Sequence, residues 1–174
     1  MRYAQIRKLD ISNGEGVGVS LFVQGCSFHC KDCFNKETWD YEDGNEWTNK
    51  ARNIFLKLIN RPYITRISFL GGDPLYSKNL DEILDLCKTI KSKYKDKKIW
   101  LYSGYTFESI FNSNNIDMLK RQEILKYIDI LVDGQFVTEL KDLKLKFKGS
   151  LNQQIINIQE SLKENKIILY DVGD

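Results

Sequence analysis

Cys26, Cys30 and Cys33 lie in the stretch "GCSFHCKDCFN" (25–35), so three of the four cysteines of a 174-residue chain occupy eight positions. Thiols packed this closely hold a metal or carry redox chemistry. A closed zinc site takes four ligands, usually as two separated pairs, and the second pair is missing. Cys87 lies in "LDEILDLCKTIKSKY" (80–94) on the apolar face of a predicted helix, where a thiol behaves as a core residue. His29, the only histidine, adjoins Cys30, and adjacent side chains seldom reach the same small ion. Three thiolates spaced C-x3-C-x2-C suit a cubane iron-sulfur cluster, which ordinarily takes four. One iron is then left open to a substrate or cofactor, which marks a reactive cluster rather than a simple electron carrier.

The elements that carry these residues read as alternating strands and helices. "VGVSLFV" (17–23) is a β-branched apolar run bounded by glycine, and "ITRISFL" (64–70), "KIWLYSG" (98–104) and "IDILVDG" (128–134) read as further strands. Helices are expected over 49–60 and 80–94, over 107–111 with Thr106 as N-cap, over 118–127 and around 152–162, with a last strand at 166–170. Alternation of this kind gives a parallel sheet with right-handed crossovers. A complete eight-stranded barrel takes about 250 residues, so the expectation is an α/β fold: a partial, open (β/α) barrel of four to six strands with a mostly parallel sheet, in a single domain over 1–174.

Ligands in such sheets bind at the carboxyl ends of the strands. Those ends are "QGCSFHCKDCFN", "GGDPLYS", "YSGYTFE" and "DGQF", so all the unusual chemistry falls on one edge. Gly71 and Gly72 permit close backbone approach to a ligand. The Asp73 carboxylate can accept a charge-assisted hydrogen bond from an ammonium, and Pro74 biases Asp73 towards an extended conformation.

Composition excludes several classes. With 42% hydrophobic and 29% charged residues and a net charge of +2, the chain is an ordinary globular one. Its interspersed charges give no field that favours nucleic acid or an anionic membrane. The segment "MRYAQIRKLDISNGEG" has no apolar core, and no apolar run nears the roughly 20 residues that span a bilayer. The expectation is a cytoplasmic protein, whose reduced thiols more often bind metal than form disulfides. The glycines of "NGEGVG" (13–18) superficially suggest a dinucleotide loop, but no strand-helix context surrounds them in the required order.

The cysteine spacing after a first strand, with "GGDP" at the end of the next, resembles the radical S-adenosylmethionine superfamily. A narrower resemblance spans nearly the whole chain. "DISNGEGVGVSLFVQGCSFHCKDCFNKETWD", "SFLGGDPLYSKN", "IWLYSGYTFE", "YIDILVDGQFV" and "FKGSLNQQII" are similar, in order, to blocks of the activating proteins of anaerobic ribonucleoside-triphosphate reductases. Many superfamily members carry an aromatic before the third cysteine. Here that position is Asp32 and the aromatic follows as Phe34, as in the activating-protein subgroup. Lys148 stands where that family's pattern has arginine, which puts a bidentate contact there in doubt.

The resemblance implies one 4Fe-4S cluster on Cys26, Cys30 and Cys33, with S-adenosyl-L-methionine chelating the open iron. Reductive cleavage then gives methionine and a 5'-deoxyadenosyl radical, which takes hydrogen from a glycine of the large reductase subunit and leaves a stored glycyl radical. It implies no catalytic acid or base among the side chains, and an electron donor of low potential. Asp32 and Phe34 would flank the cofactor, and Gly71, Gly72 and Asp73 would bind its methionyl end. Ser103, Asp133, Ser150 and Asn152 are further cofactor-facing candidates, each equally open to a structural role. Phe28, Phe34, Trp39, Tyr41 and Trp47 either line a docking surface or cover the open side of the barrel. The competing readings are an activase of another glycyl-radical enzyme such as pyruvate formate-lyase, a non-catalytic iron-sulfur electron carrier, and a zinc-binding interaction module.

Overall fold

The computed structural model describes residues 1–173. Its strands are β1 (Arg2–Asp10), β2 (Gly18–Val23), β3 (Asn45–Glu46), β4 (Arg66–Gly71), β5 (Lys98–Tyr102), β6 (Ile130–Asp133) and β7 (Gln154–Asn157). The helices are α1 (Asn49–Ile59), α2 (Leu80–Lys93), α3 (Phe107–Phe111), α4 (Ile116–Leu125) and α5 (Ile158–Glu164). One seven-stranded sheet runs β3-β1-β2-β4-β5-β6-β7 and does not close on itself.

The expected parallel arrangement holds at the centre, where β2, β4, β5 and β6 pair in parallel. It fails at both flanks: β1 pairs antiparallel with β2 and β3, and β7 pairs antiparallel with β6. The sheet is therefore mixed rather than mostly parallel. Only the β1–β2 connection is short enough for a hairpin; the parallel neighbours are joined by crossovers that carry α-helices, and the 134–153 connection between β6 and β7 carries none.

Side chains alternate between two faces. Val19, Leu21, Val23, Ile67, Phe69, Ile99, Leu101 and Leu131 join Phe55 of α1 and Ile83, Leu86, Cys87 and Ile90 of α2 in the main core. On the opposite face Trp100, Ile130, Val132 and Ile155 form a smaller cluster with Tyr102, Phe147, Tyr170 and Val172. Burial of both faces explains why the central strands read as continuous apolar runs rather than alternating ones.

The helices start where capping chemistry puts them. Thr48 accepts from the Ala51 amide at 3.2 Å, Thr106 from Ser109 at 3.2 Å and Asn115 from Met118 at 2.9 Å, each satisfying an otherwise orphaned N–H. Two expectations near the C-terminus need correction. The region 152–162 is a strand followed by a helix, because residues 154–157 pair with β6 before α5 begins. The stretch 166–170 forms no full strand; it touches β7 through the Ile156–Leu169 bridge and two flanking backbone bonds, Asn157 N–H to Ile168 at 2.9 Å and Tyr170 N–H to Ile155 at 2.8 Å.

Candidate cluster and cofactor site

The carboxyl ends of β2, β4, β5 and β6 surround a cavity of about 490 Å³, within the usual span for a small-ligand pocket of roughly 300–1,000 Å³. Cys26, Cys30, Cys33 and Phe34 line it from the loop after β2, Gly71, Gly72 and Asp73 from the turn after β4, Ser103 and Gly104 from the end of β5, and Gly134, Gln135 and Phe136 from the end of β6.

The cysteine loop reverses direction on two non-glycine residues in the left-handed region, His29 at φ 49° and Asp32 at φ 56°. Such conformations cost free energy and persist only where surroundings enforce them. Here the loop is pinned at its entry, where Gly25 and Cys26 donate to the carbonyls of Thr38 (2.9 Å) and Trp39 (3.0 Å), and across its end, where Cys33 N–H donates to the Cys30 carbonyl at 3.1 Å. The Asn35 amide points at Cys33 Sγ at 3.4 Å. Among the described residues, no three Cys, His, Asp or Glu side chains converge tightly enough for one metal ion. The three cysteines do line one cavity, and amides directed at sulfur are among the contacts that tune an iron-sulfur cluster. Burial pushes the Cys26 thiol up to about 11, against the lowering effect of the Phe28 and His29 amides. His29 itself is exposed and stacks on Trp39 at 4.6 Å.

The glycines after β4 serve close packing between loops. Gly71 sits at φ 106°, and a Cβ on Gly72 would lie 2.5 Å from the Gly25 carbonyl oxygen and 2.8 Å from that of Thr38. Gly72 N–H donates to Val23 and Asp73 N–H to Gly25, both at 2.8 Å. The turn is thereby laid directly on the chain that enters the cysteine loop. Only glycine permits this approach.

Asp73 is 2% exposed, and its carboxylate is already engaged. Oδ1 accepts from Leu75 N–H at 2.8 Å, Oδ2 from Gly104 N–H at 3.0 Å, and Ser103 Oγ reaches both oxygens. Burial pushes this carboxyl up to about 6, with the Leu75, Gly104 and Ser103 hydrogen bonds and the Arg121 charge acting in the opposite direction. Asp73 therefore ties the β4 turn to the end of β5.

The remaining sequence candidates divide. Phe34, 56% exposed, forms part of the cavity wall with Phe136, 5.2 Å away, and Lys141 lies 5.0 Å over its ring. Asp32 is exposed and outside the lining. Asp133 accepts from the Phe107 and Gln154 amides, Ser150 from the Val137 amide, and Asn152 donates to the Gln135 carbonyl; none of these three lines the cavity. They shape the Gly134–Gln135–Phe136 turn instead. Lys148 does line the cavity, its Nζ donating to the Gln153 carbonyl at 2.9 Å. Among the aromatics, Trp47 is taken up by the core, edge-on to Tyr3 and Phe55, while Phe28 lines the cavity.

Sequence reasoning passed over the floor of the cavity. Ser12, Asn13, Phe22 and Tyr102 contribute to the lining, and the first two belong to the β1–β2 connection. That connection crosses the inner face because Arg66, 1% exposed, holds it. The Arg66 guanidinium reaches the Asp10 carbonyl at 2.5 Å and its carboxylate at 3.3 Å, and Ser68 Oγ donates to the Asn13 carbonyl at 2.6 Å. A Cβ on Gly14 or Gly18 would strike Arg66 at 2.7 or 2.5 Å. Gly14 and Gly18 of "NGEGVG" thus make room for a buried arginine, while Gly16 packs against Thr65. Gln135, Phe136 and Gln153 were also missed, although the first two follow the fourth strand directly and the strand-end rule points to them.

Residues 12–156 match the family described as a 4Fe-4S single cluster domain. Three relatives carry the name anaerobic ribonucleoside-triphosphate reductase-activating protein. The one from Vibrio cholerae is 38% identical, over 89% of this chain and 97% of its own; that of Enterobacteria phage T4 is 37% identical, over 89% and 93%; that of Escherichia coli K12 is 36% identical, over 91% and 100%.

Proposed function

Since the chain belongs to the family of anaerobic ribonucleoside-triphosphate reductase-activating proteins, we propose that it activates such a reductase by installing a glycyl radical, using a 4Fe-4S cluster and S-adenosyl-L-methionine. The observation that carries this reading is the meeting of Cys26, Cys30 and Cys33 with Gly71, Gly72 and Asp73 around one cavity. When bound, the cluster and S-adenosylmethionine supply one-electron cleavage of a carbon-sulfur bond and a carbon radical able to take hydrogen from glycine.

The protein's part is to bind, orient and shield. Cys26, Cys30 and Cys33 hold three corners of the cluster, and the Asn35 amide supports Cys33. The turn at Gly71 and Gly72 presents backbone groups to the methionyl end, while Asp73 and Ser103 keep that turn fixed against β5. Phe34, Phe28 and Phe136 form apolar walls that exclude water from a reactive carbon radical. Asp32 lies outside the cavity and shapes the cysteine loop; Asp133, Ser150 and Asn152 act on the cofactor through the Gly134–Gln135–Phe136 turn. No side chain here serves as a general acid or base. The shared name of the relatives favours a ribonucleotide reductase over pyruvate formate-lyase as the partner, and the electron donor is of low potential. Among the described residues no helix is long and apolar enough to cross a membrane.

The test is anaerobic reconstitution with iron and sulfide, then reduction with S-adenosylmethionine, following 5'-deoxyadenosine, and repetition with the reductase while recording the glycyl-radical signal. Both products are expected, and both are lost in Cys30→Ala. A loaded, reduced protein that makes neither would be an electron carrier.

A further inference from the structure

Arg121 stands apart from the cavity, on α4 in the helix layer, yet it is 3% exposed, and beyond a contact of its Nη1 with Met118 Sδ at 3.5 Å on the same helix its contacts lead to the site. Its Nε donates to the Leu75 carbonyl at 2.9 Å, and Leu75 N–H is the donor that holds Asp73 Oδ1. Its guanidinium lies 4.2 Å over the ring of Tyr105. That ring meets Phe28 edge-on, with centroids 4.9 Å apart, and Phe28 lies between Cys26 and Cys30 in the chain and lines the cavity. The Phe28 ring fits against Gly104 so closely that a Cβ there would come within 2.4 Å of it. Tyr105 also connects by its backbone: its N–H donates to Ser103 Oγ at 3.1 Å, and its carbonyl accepts from Gly134 at 3.3 Å.

Burying a guanidinium costs free energy unless its donors and charge are engaged. The Met118 contact of Arg121 is to a weak sulfur acceptor; the strong partners are a turn carbonyl and an aromatic face, and both belong to loops that border the cavity. A leucine or methionine at this helix position would fill the core without such contacts, so the polar choice serves the loops rather than α4. We propose that Arg121 is a positioning residue for this site: from the helix layer it holds the Gly71–Leu75 turn through Leu75 and the cysteine loop through Tyr105 and Phe28. The same group thereby fixes two cavity walls that come from different strands. A partner that tunes a metal site from outside its ligands changes affinity or activity by roughly 10- to 100-fold when removed.

The experiment compares wild type, Arg121→Met and Arg121→Lys by two readouts. Hydrogen exchange on the apo protein reports residues 26–30, 71–76 and 103–105 against the sheet as a whole. Electron paramagnetic resonance of the reduced, cluster-loaded protein titrated with S-adenosylmethionine gives cofactor affinity, and this arm rests on the functional reading above. Arg121→Met is expected to speed exchange selectively in the three segments and to weaken cofactor affinity about tenfold, with partial recovery in Arg121→Lys, which keeps the charge. Exchange confined to α4, or raised evenly over the whole sheet, with affinity unchanged, would overturn the proposal. If Arg121→Met does not fold, Tyr105→Leu cuts the same link and is read by the same criteria, with selective exchange expected at 26–30. A wild-type protein whose spectrum ignores S-adenosylmethionine would sink the functional reading instead, and the exchange arm would still decide the role of Arg121.

Discussion

Ser103 Oγ lies 2.9 Å from one carboxylate oxygen of Asp73 and 3.0 Å from the other, so the end of β5 closes on the turn after β4 through one side-chain pair. With Ser103 gone, Asp73 keeps only the Leu75 and Gly104 amides among these partners. Ser103→Ala is expected to destabilise the apo protein by about 1–2 kcal/mol, the usual cost of leaving a buried partner short of a hydrogen bond. Urea unfolding measures this directly. An unchanged midpoint would mean that the two amides satisfy the carboxylate unaided.

The same carboxyl gives the protein a defined pH response. It titrates at about 6 in the folded chain, raised by burial, against an ordinary 3.8. Between these values the folded state holds a proton that the unfolded state has lost, so stability falls as pH rises through the window. The contribution is fully present below about 4, gone above about 6, and amounts to at most about 3 kcal/mol. Asp73→Asn has no such proton. The stability of wild type relative to Asp73→Asn should therefore decline between about pH 4 and pH 6.5. A difference that stays flat over this range would place the carboxyl near its ordinary value.

Gly72 meets two carbonyl oxygens that cannot move away without breaking the loop entry. Gly72→Ala should cost about 2 kcal/mol or more, in the range of overpacking a fixed interior. Its expected signature is lower thermal stability together with poor iron loading, because the turn and the cysteine loop share the disturbed contact. Normal loading would show that the two loops do not depend on each other.

Cys87 separates packing from ligation. It is fully buried in α2 among Ile83, Leu86 and Ile90, and burial drives its thiol far above the ordinary range. Cys87→Ala should cost about 1 kcal/mol in stability through the small void it leaves and retain full iron and sulfide content. Cys26→Ala should do the reverse, losing the cluster while the apo protein melts at nearly the wild-type temperature. Iron and sulfide analysis beside calorimetry checks both.

The Asp10–Arg66 pair should respond unequally to removal of its members. Without Arg66, Asp10 still accepts from the Ser12 and Asn13 amides and from Asn13 Nδ2. Without the Asp10 carboxylate, a buried guanidinium keeps one carbonyl. Asp10→Ala is therefore expected to cost about 3–5 kcal/mol, as when a buried pair is broken from one side, and Arg66→Met clearly less. Chemical denaturation of the two variants ranks them, and the opposite order would refute this account of the floor.

The sequence by itself determined that the three cysteines and the Gly-Gly-Asp turn share one edge of the sheet. C-x3-C-x2-C and Gly-Gly-Asp are local patterns, and continuous apolar runs alternating with helical periodicity place parallel strands whose carboxyl ends must share an edge. It also determined the helix starts at Asn49 and, with its cap Thr106, at Phe107, since capping depends on neighbours only a few residues away, whereas α4 begins at Ile116, two residues before the expected 118. Three features were decided only by tertiary structure. The flanking strand β1 is antiparallel because a short connection returns the chain to β2, and β7 comes back antiparallel to β6 after the long 134–153 excursion, which carries no α-helix to make a parallel crossover; β1 also carries a half-polar sequence with no alternation that marks it. Asp73 turns its carboxylate to Ser103 and Gly104, residues 30 and 31 positions away, so its engagement could not be read from the motif that contains it. Gly14 and Gly18 of "NGEGVG" serve Arg66, a residue on another strand that needs their missing side chains. Local patterns record what a residue can do; a buried charge or carboxylate takes its partners from wherever the chain returns, and only the packed fold fixes which they are.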